Sequence, residues 1–173
     1  MKIVFTTNKK FWSKAFKYLT GHPVSHLGFV FNINDNLLTI DCSTDGGRIM
    51  TFEKFSSINF PVYEINLDRS IDLEIELFKS ALFLVGKPYD MPAYVYGIWR
   101  GILFRLFNIK APKKNLLSKQ NLYCCTEILL PIDDILKREF DITFSKMDLA
   151  IKTPYEIYLF LMESLCLISE LKK

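Results

Sequence analysis

The sequence contains little of what metal centres and nucleic-acid interfaces require. It has only two histidines among 173 residues. Its four cysteines, Cys42, Cys124, Cys125 and Cys166, lack the paired spacings of a zinc site, so we expect no metal and no other cofactor. Twenty-two basic residues stand against nineteen acidic ones, and the net charge of +3 is too small and too dispersed to predict a nucleic-acid partner.

Long apolar runs are also scarce. Residues 1–10 carry lysines but lack the apolar run of about seven residues that a secretory signal requires. Residues 93–107 are apolar and aromatic, yet at about fifteen residues they are shorter than the ~20 that a transmembrane helix needs. We therefore expect a cytoplasmic or virion-associated protein with reduced thiols and no transmembrane span.

The patterns that are present predict an α+β protein. Alternation and β-branched residues indicate strands at about 2–6, 24–33, 37–43, 48–52 and 62–66. Helical periodicity and end signals indicate helices at about 9–19, 72–84, 93–107, 124–140 and 154–171, with Asp72 and Thr153 as expected N-caps. Half of the residues are hydrophobic, which is enough for one core. We predict a single domain over 1–173, with a small antiparallel sheet packed against helices.

Two short motifs carry the chemistry. One is Ser25-His26-Leu27-Gly28-Phe29, on a predicted strand, and the other is Tyr123-Cys124-Cys125-Thr126-Glu127, at the start of a predicted helix. An adjacent imidazole and a helix N-terminus both favour the thiolate form of a cysteine, which is the nucleophilic form. The two motifs together predict a cysteine hydrolase.

The order of the motifs, histidine before cysteine, is the reverse of that in papain-type enzymes and indicates a circular permutation. The chain resembles the permuted papain-like amidases of the YiiX type, a branch of the NlpC-type amidase and peptidase superfamily. The matching pieces, in the family's order, are residues 14–21, 25–28, 39–41 with 45–47, 86–90, 125–127 and 152–158. The resemblance implies a circularly permuted papain-like (NlpC-type) fold.

The resemblance also implies roles for individual residues. Cys125 would be the nucleophile, His26 the base and Asp41 the group that orients the histidine. The family usually has Glu at the position of Asp41, and Cys-Ser-Glu where this chain has Cys125-Thr126-Glu127. Whether Cys124 or Cys125 faces the histidine stays open. The residues expected beside the substrate cleft are Gly28, Tyr89, Cys124 and Thr126.

The strand pattern offers a physical test of these roles. A turn centred near Asn34-Asp35 places Asp41 opposite Gly28 and diagonal to His26 on one sheet face, within reach of the ring. If Cys125 lies in the first turn of its helix, backbone N–H groups there stabilise a thiolate and bind an oxyanion. The geometry predicted from the sequence is therefore that of a catalytic triad.

The expected activity is cleavage of an amide, peptide or related acyl bond through an acyl-enzyme. The resemblance implies peptide, peptidoglycan-like or acyl-amide substrates and does not choose among them. The alternative is a catalytically silent structural or binding protein with the same fold, for example a phage or viral particle component. Residues 93–107 add a further choice, because such a segment forms either a core helix or an interfacial helix that contacts a membrane surface. No oligomeric state is predicted.

Overall fold

The computed structural model describes residues 1–67, 70–107, 123–144, 149 and 152–171. Its centre is a five-stranded antiparallel sheet with the strand order β4-β3-β2-β1-β5. The strands are β1 (Lys2–Thr7), β2 (His26–Ile33), β3 (Asn36–Ser43), β4 (Gly46–Thr51) and β5 (Phe60–Asn66). All five lie where the alternation predicts them, which confirms the α+β class with its antiparallel sheet.

Helices cover the sheet. Among the described residues they are α1 (Phe11–Thr20), α2 (Phe52–Ile58), α3 (Ile71–Ala81), α4 (Met91–Phe107), α5 (Asp133–Phe140) and α6 (Pro154–Leu171). Short 3₁₀ helices occur at Leu82–Leu84 and Glu127–Ile132. Apolar side chains from β1, β2 and β3 form the main core with residues of α3, α5, α6 and the second 3₁₀ helix.

Three helix predictions need correction. No helix is predicted at 52–58, where α2 forms, capped by the hydroxyl of Thr51. Ser70 rather than Asp72 caps α3, because its hydroxyl accepts from the N–H of Leu73. The predicted helix at 124–140 begins as a 3₁₀ helix that contains Pro131, whose missing N–H and fixed ring disfavour a regular α-helix.

The hairpin between β2 and β3 determines the position of the site. Asn34 and Asp35 have φ values of 51° and 62°, which is the left-handed backbone that a two-residue hairpin turn requires. The turn pairs Gly28 with Asp41, as the sequence predicts. On β2, Leu27 and the other odd-numbered residues contribute to the main core, while the even-numbered ones, including His26, face the other side.

Candidate active site

His26 and Asp41 form the centre of the candidate site. His26 Nε2 and Asp41 Oδ2 are 2.8 Å apart, and both side chains are buried, with Asp41 fully inaccessible to solvent. His26 begins β2, and Asp41 lies on β3 opposite Gly28, so the two side chains are diagonal neighbours on one sheet face. The predicted contact between the imidazole and the carboxylate is therefore present.

Arg48 is a member of the site that the sequence analysis missed. It pairs with Asp41 in the β3–β4 register. Its guanidinium donates from Nε to Asp41 Oδ1 at 2.8 Å and from Nη2 to Asp41 Oδ2 at 3.0 Å, and Nη1 lies 3.3 Å from Asp45 Oδ2. This two-point contact holds the carboxylate in one orientation. The tight turn before β4 could have predicted this contact, because it places Arg48 directly across from Asp41.

The protonation states follow from these contacts. Burial alone would lower the pKa of His26, but hydrogen bonds and charge interactions with Asp41 and Cys125 outweigh it and raise the pKa to about 9. Burial alone would raise the pKa of Asp41, and His26 and Arg48 outweigh it and lower that pKa. At neutral pH the pair is therefore a carboxylate beside an imidazolium.

Cys125 is the cysteine that affects the pKa of His26. The hydrogen bond and the charge interaction between these two side chains both contribute to the raised pKa of His26. Because Asp41 engages Nε2, the ring nitrogen that remains for the thiol is Nδ1. Cys125 is buried and lies in a turn just before the 3₁₀ helix Glu127–Ile132, so the expected place in the first turn of an α-helix is wrong.

A reciprocal pair of hydrogen bonds shapes that turn. The N–H of Glu127 donates to the carbonyl of Cys124 at 3.1 Å, and the N–H of Cys124 donates to Glu127 Oε2 at 2.9 Å. The second bond is the carboxylate half of a capping box, in which a carboxylate reaches back to the residue three positions earlier. Cys125 is the residue directly after Cys124 in this turn, and its side chain is buried.

Cys124 and Thr126 form a separate contact. Cys124 Sγ lies 3.1 Å from Thr126 Oγ1, and that hydroxyl donates to the carbonyl of Leu149 at 2.7 Å. Burial, Glu127 and Cys125 raise the pKa of Cys124 well above its ordinary value. Cys124 is therefore a protonated neighbour at neutral pH.

Cys42 is protonated for a similar reason. Burial is the main cause that raises the pKa of Cys42 to about 12, and its thiol donates to the carbonyl of Tyr123 at 3.1 Å.

Two tyrosines border the cysteine turn. Burial and the neighbouring cysteines, Cys125 first, raise the pKa of Tyr89 well above its ordinary value. Burial and Cys125 raise the pKa of Tyr94, on α4, to about 12. The rings of the two tyrosines contact each other edge to face at 6.2 Å. Tyr89 is thus close to the cysteine turn, and its place in a substrate cleft stays a prediction, whereas no role there was predicted for Tyr94.

The segment 86–90 joins the cysteine turn to β4. Tyr123 donates its N–H to the carbonyl of Pro88, and Asp90 donates its N–H to the carbonyl of Tyr123. The N–H of Gly47 donates to the carbonyl of Lys87, and a side chain at Gly47 would overlap the backbone of Leu84. Beside Tyr89 an open cavity of about 350 Å³ is lined by residues 44–47 and 86–89.

Gly28 was predicted to lie beside the substrate cleft, but in the structure other side chains of the protein surround it. A side chain there would lie 3.3 Å from the ring of Phe55, on α2, and 3.4 Å from Asp41 Cβ. Phe55 is fully buried. The space that glycine leaves open is therefore occupied by the helix that the sequence analysis did not predict, and a contact between Gly28 and substrate stays a prediction.

Comparisons with known proteins support the fold and say little about activity. No protein-family model matches the chain, and neither does any curated protein. Among solved structures, the chain is similar to the metalloprotein YiiX from Escherichia coli O157:H7. The two share 15% identity with a TM-score of 0.51, over 91% of this chain and 89% of that chain. The chain has a YiiX-like fold.

The word metalloprotein in that description raises the question of a metal at this site. Among the residues that the structure describes, no three or more His, Cys, Asp or Glu side chains are grouped so that they could hold a metal ion. Both oxygens of Asp41 already accept from Arg48, whose positive charge would repel a cation placed beside it. His26, Asp41 and Arg48, as the structure describes them, do not fit a metal centre.

Within the described ranges, no helix combines the length and the apolar character needed to cross a bilayer.

Proposed function

We propose that the protein is a cysteine hydrolase with a circularly permuted papain-like fold, which cleaves an amide, peptide or related acyl bond. The observation that carries the proposal is the 2.8 Å contact between His26 and Asp41, together with the contribution of Cys125 to the raised pKa of His26. The histidine precedes the cysteine in the chain, and the YiiX-like fold is compatible with that order. A set of cysteine, histidine and aspartate is the arrangement that activates a thiol nucleophile.

In the first half of the proposed reaction, the Cys125 thiolate attacks the carbonyl carbon of the substrate. The tetrahedral intermediate then collapses as the His26 imidazolium donates its proton to the leaving amine. A thioester between Cys125 and the acyl group remains. Backbone N–H of Cys125 is the donor proposed for the oxyanion.

In the second half, His26 is neutral and removes a proton from water, which attacks the thioester. The second tetrahedral intermediate breaks its C–S bond, so the carboxylic acid leaves and Cys125 is released as the thiolate, while the proton taken from water stays on His26. Asp41 acts through His26, because it stabilises the imidazolium and holds the ring in position. Arg48 in turn positions Asp41. Peptide, peptidoglycan-like and acyl-amide bonds all suit this sequence of steps.

Selective alkylation tests the nucleophile. The experiment uses a Cys166→Ser chain, because Cys166 is exposed and would react in any case. Iodoacetamide near pH 7 should modify Cys125 at least about tenfold faster than Cys42 or Cys124, whose raised pKa values keep them protonated. Peptide mass spectrometry locates the modification and gives its rate.

Two variants make the result specific. His26→Gln should slow alkylation of Cys125, because it removes the imidazolium. Cys124→Ala is the matched control and should leave the rate close to that of the parent chain. Equal labelling of the three buried thiols, or a rate that does not respond to His26→Gln, would instead favour a catalytically silent binding protein.

A further inference from the structure

The surface formed by α1 and α4 has an unusual composition. Neither helix contains aspartate or glutamate, and residues 9–17 include four lysines. On α4, Met91, Val95 and Trp99 recur at a spacing of four residues and are 44%, 53% and 45% exposed. These three side chains form one apolar ridge along the helix.

The exposed face of α1 continues this character. Phe11 is 73% exposed, and Trp12 beside it is 58% exposed, with the two rings in edge contact at 5.4 Å. Tyr18 lies seven residues after Phe11, about two turns along the same face of the helix, and is also exposed. Lys10 and Lys14 are exposed and form no ion pair with any other part of the chain that the structure describes.

The two helices are held side by side. Tyr94 stacks on Phe16 with ring centres 6.0 Å apart, and its hydroxyl donates to the carbonyl of Trp12 at 3.3 Å. Phe16, Ala93 and Tyr96 are buried, so they turn towards the rest of the protein. The exposed residues of both helices therefore lie on the outer side of one helical layer.

The same layer borders the candidate active site. The ring of Tyr94, on α4, lies 6.2 Å from that of Tyr89 beside the cysteine turn, and burial first and Cys125 second raise the pKa of Tyr94. On α1, the hydroxyl of Ser13 bonds that of Ser25, the residue just before His26. A ligand that covers the outer side of the layer would therefore lie next to the reacting groups.

We propose that the α1–α4 surface docks on an anionic lipid bilayer. Tryptophan and other aromatic side chains favour the boundary between headgroups and acyl chains, and exposed lysines are attracted to anionic headgroups. The absence of acidic side chains from both helices makes the surface complementary to that charge. Docking would bring Cys125 close to acyl bonds at headgroup depth, and this last consequence rests on the proposed function.

The chain's own tryptophans allow a direct test. The sequence has two tryptophans, Trp12 and Trp99, and both lie on this surface. Vesicles of phosphatidylcholine with about a third phosphatidylserine should shift their emission to shorter wavelength, and brominated lipids should quench it. In flotation, the full chain should rise with these vesicles and not with phosphatidylcholine alone. These measurements need no catalytic turnover, so they stand whether or not the hydrolase proposal holds.

Matched variants separate this surface from the rest. Lys10→Glu with Lys14→Glu should weaken vesicle binding by more than about tenfold, at roughly fivefold for each lysine removed. Lys79→Glu with Lys137→Glu makes the same charge change at exposed positions of α3 and α5 and should have far less effect. Trp99→Ala should weaken binding, and Ile71→Ala, at an exposed position of α3, should not.

Three outcomes would overturn the proposal. One is tryptophan emission that does not respond to anionic vesicles. Another is binding that the two lysine pairs affect equally. The third is an emission shift that depends on protein concentration without lipid, which would assign the surface to a second copy of the chain.

Discussion

The two halves of the candidate site are built in different ways. The histidine half lies on three neighbouring strands, where the register places His26, Asp41 and Arg48 together. The cysteine half lies on a turn and depends on the contacts of residues 86–90 and of Glu127. The strand register follows from local pattern, whereas the turn takes its position from segments far away in the chain.

This comparison predicts that the histidine half is the more sensitive to single changes of charge. Asp41→Asn should leave the fold intact and reduce kcat by about a hundredfold to ten-thousandfold, with little change in KM, because the imidazolium loses its partner. Steady-state kinetics provide the measurement, on any substrate that the protein is found to hydrolyse. Circular dichroism checks the fold.

Asp45→Asn is the matched control for that variant. It makes the same chemical change at an exposed carboxylate that also contacts Arg48, at 3.3 Å. Because exposed ion pairs contribute little, kcat should change by less than about twofold. Similar losses in the two variants would mean that the position of Arg48, and not the charge of Asp41, controls activity.

The pH dependence of stability sharpens the comparison further. The pKa of His26 is about 9 in the folded protein against 6.5 ordinarily, so the folded state binds this proton more tightly than the unfolded chain does. The associated stabilisation is complete below about pH 6.5 and is lost as the pH rises through about 9, and it amounts to at most about 3 kcal/mol. Urea unfolding between pH 6 and pH 10 measures it.

His26→Gln is the variant that isolates this effect. The fall in the free energy of unfolding over this pH range should become smaller in the variant, because the group that titrates is gone. A wild-type profile that does not fall, or a fall of the same size in the variant, would show that other groups control stability in this range.

A substitution in the cysteine half should have the smallest of these effects, and it should act on the free energy of unfolding. Glu127→Ala removes the acceptor of the Cys124 N–H, which is buried, and should lower the free energy of unfolding by about 1–3 kcal/mol. Glu127→Gln keeps an oxygen acceptor and should cost less. Urea unfolding compares the two variants. If Ala and Gln behave alike, the hydrogen bond to Cys124 does not stabilise the turn.

Much of the histidine half could be predicted because it depends on local rules. A two-residue turn at Asn34-Asp35 determines the pairing of Gly28 with Asp41, and side-chain alternation then places His26 on the same face. The N-cap at Thr153 was predicted for the same reason, and its hydroxyl accepts from the N–H of Glu156 at 3.2 Å. Each of these features involves residues close together in the sequence.

The features that escaped prediction depend on distant parts of the chain. Phe55 fills the space beside Gly28 because α2 packs on β3, and nothing in residues 26–30 indicates that neighbour. Tyr94 reaches the cysteine turn because α4 packs on α1. The predicted helix start at Cys124 was misplaced because Pro131 and the hydrogen bonds of Glu127 favour a turn followed by a 3₁₀ helix.

The amino-acid sequence by itself determined the five strands, the hairpin register and the pairing of His26 with Asp41, because side-chain alternation and turn geometry act over a few residues. Only the tertiary structure decided that Cys125 and not Cys124 faces His26, and that Arg48 holds Asp41 from the other side. It also decided that Trp99 lies at the surface. Such choices depend on how elements from distant parts of the chain pack together, which no local pattern specifies.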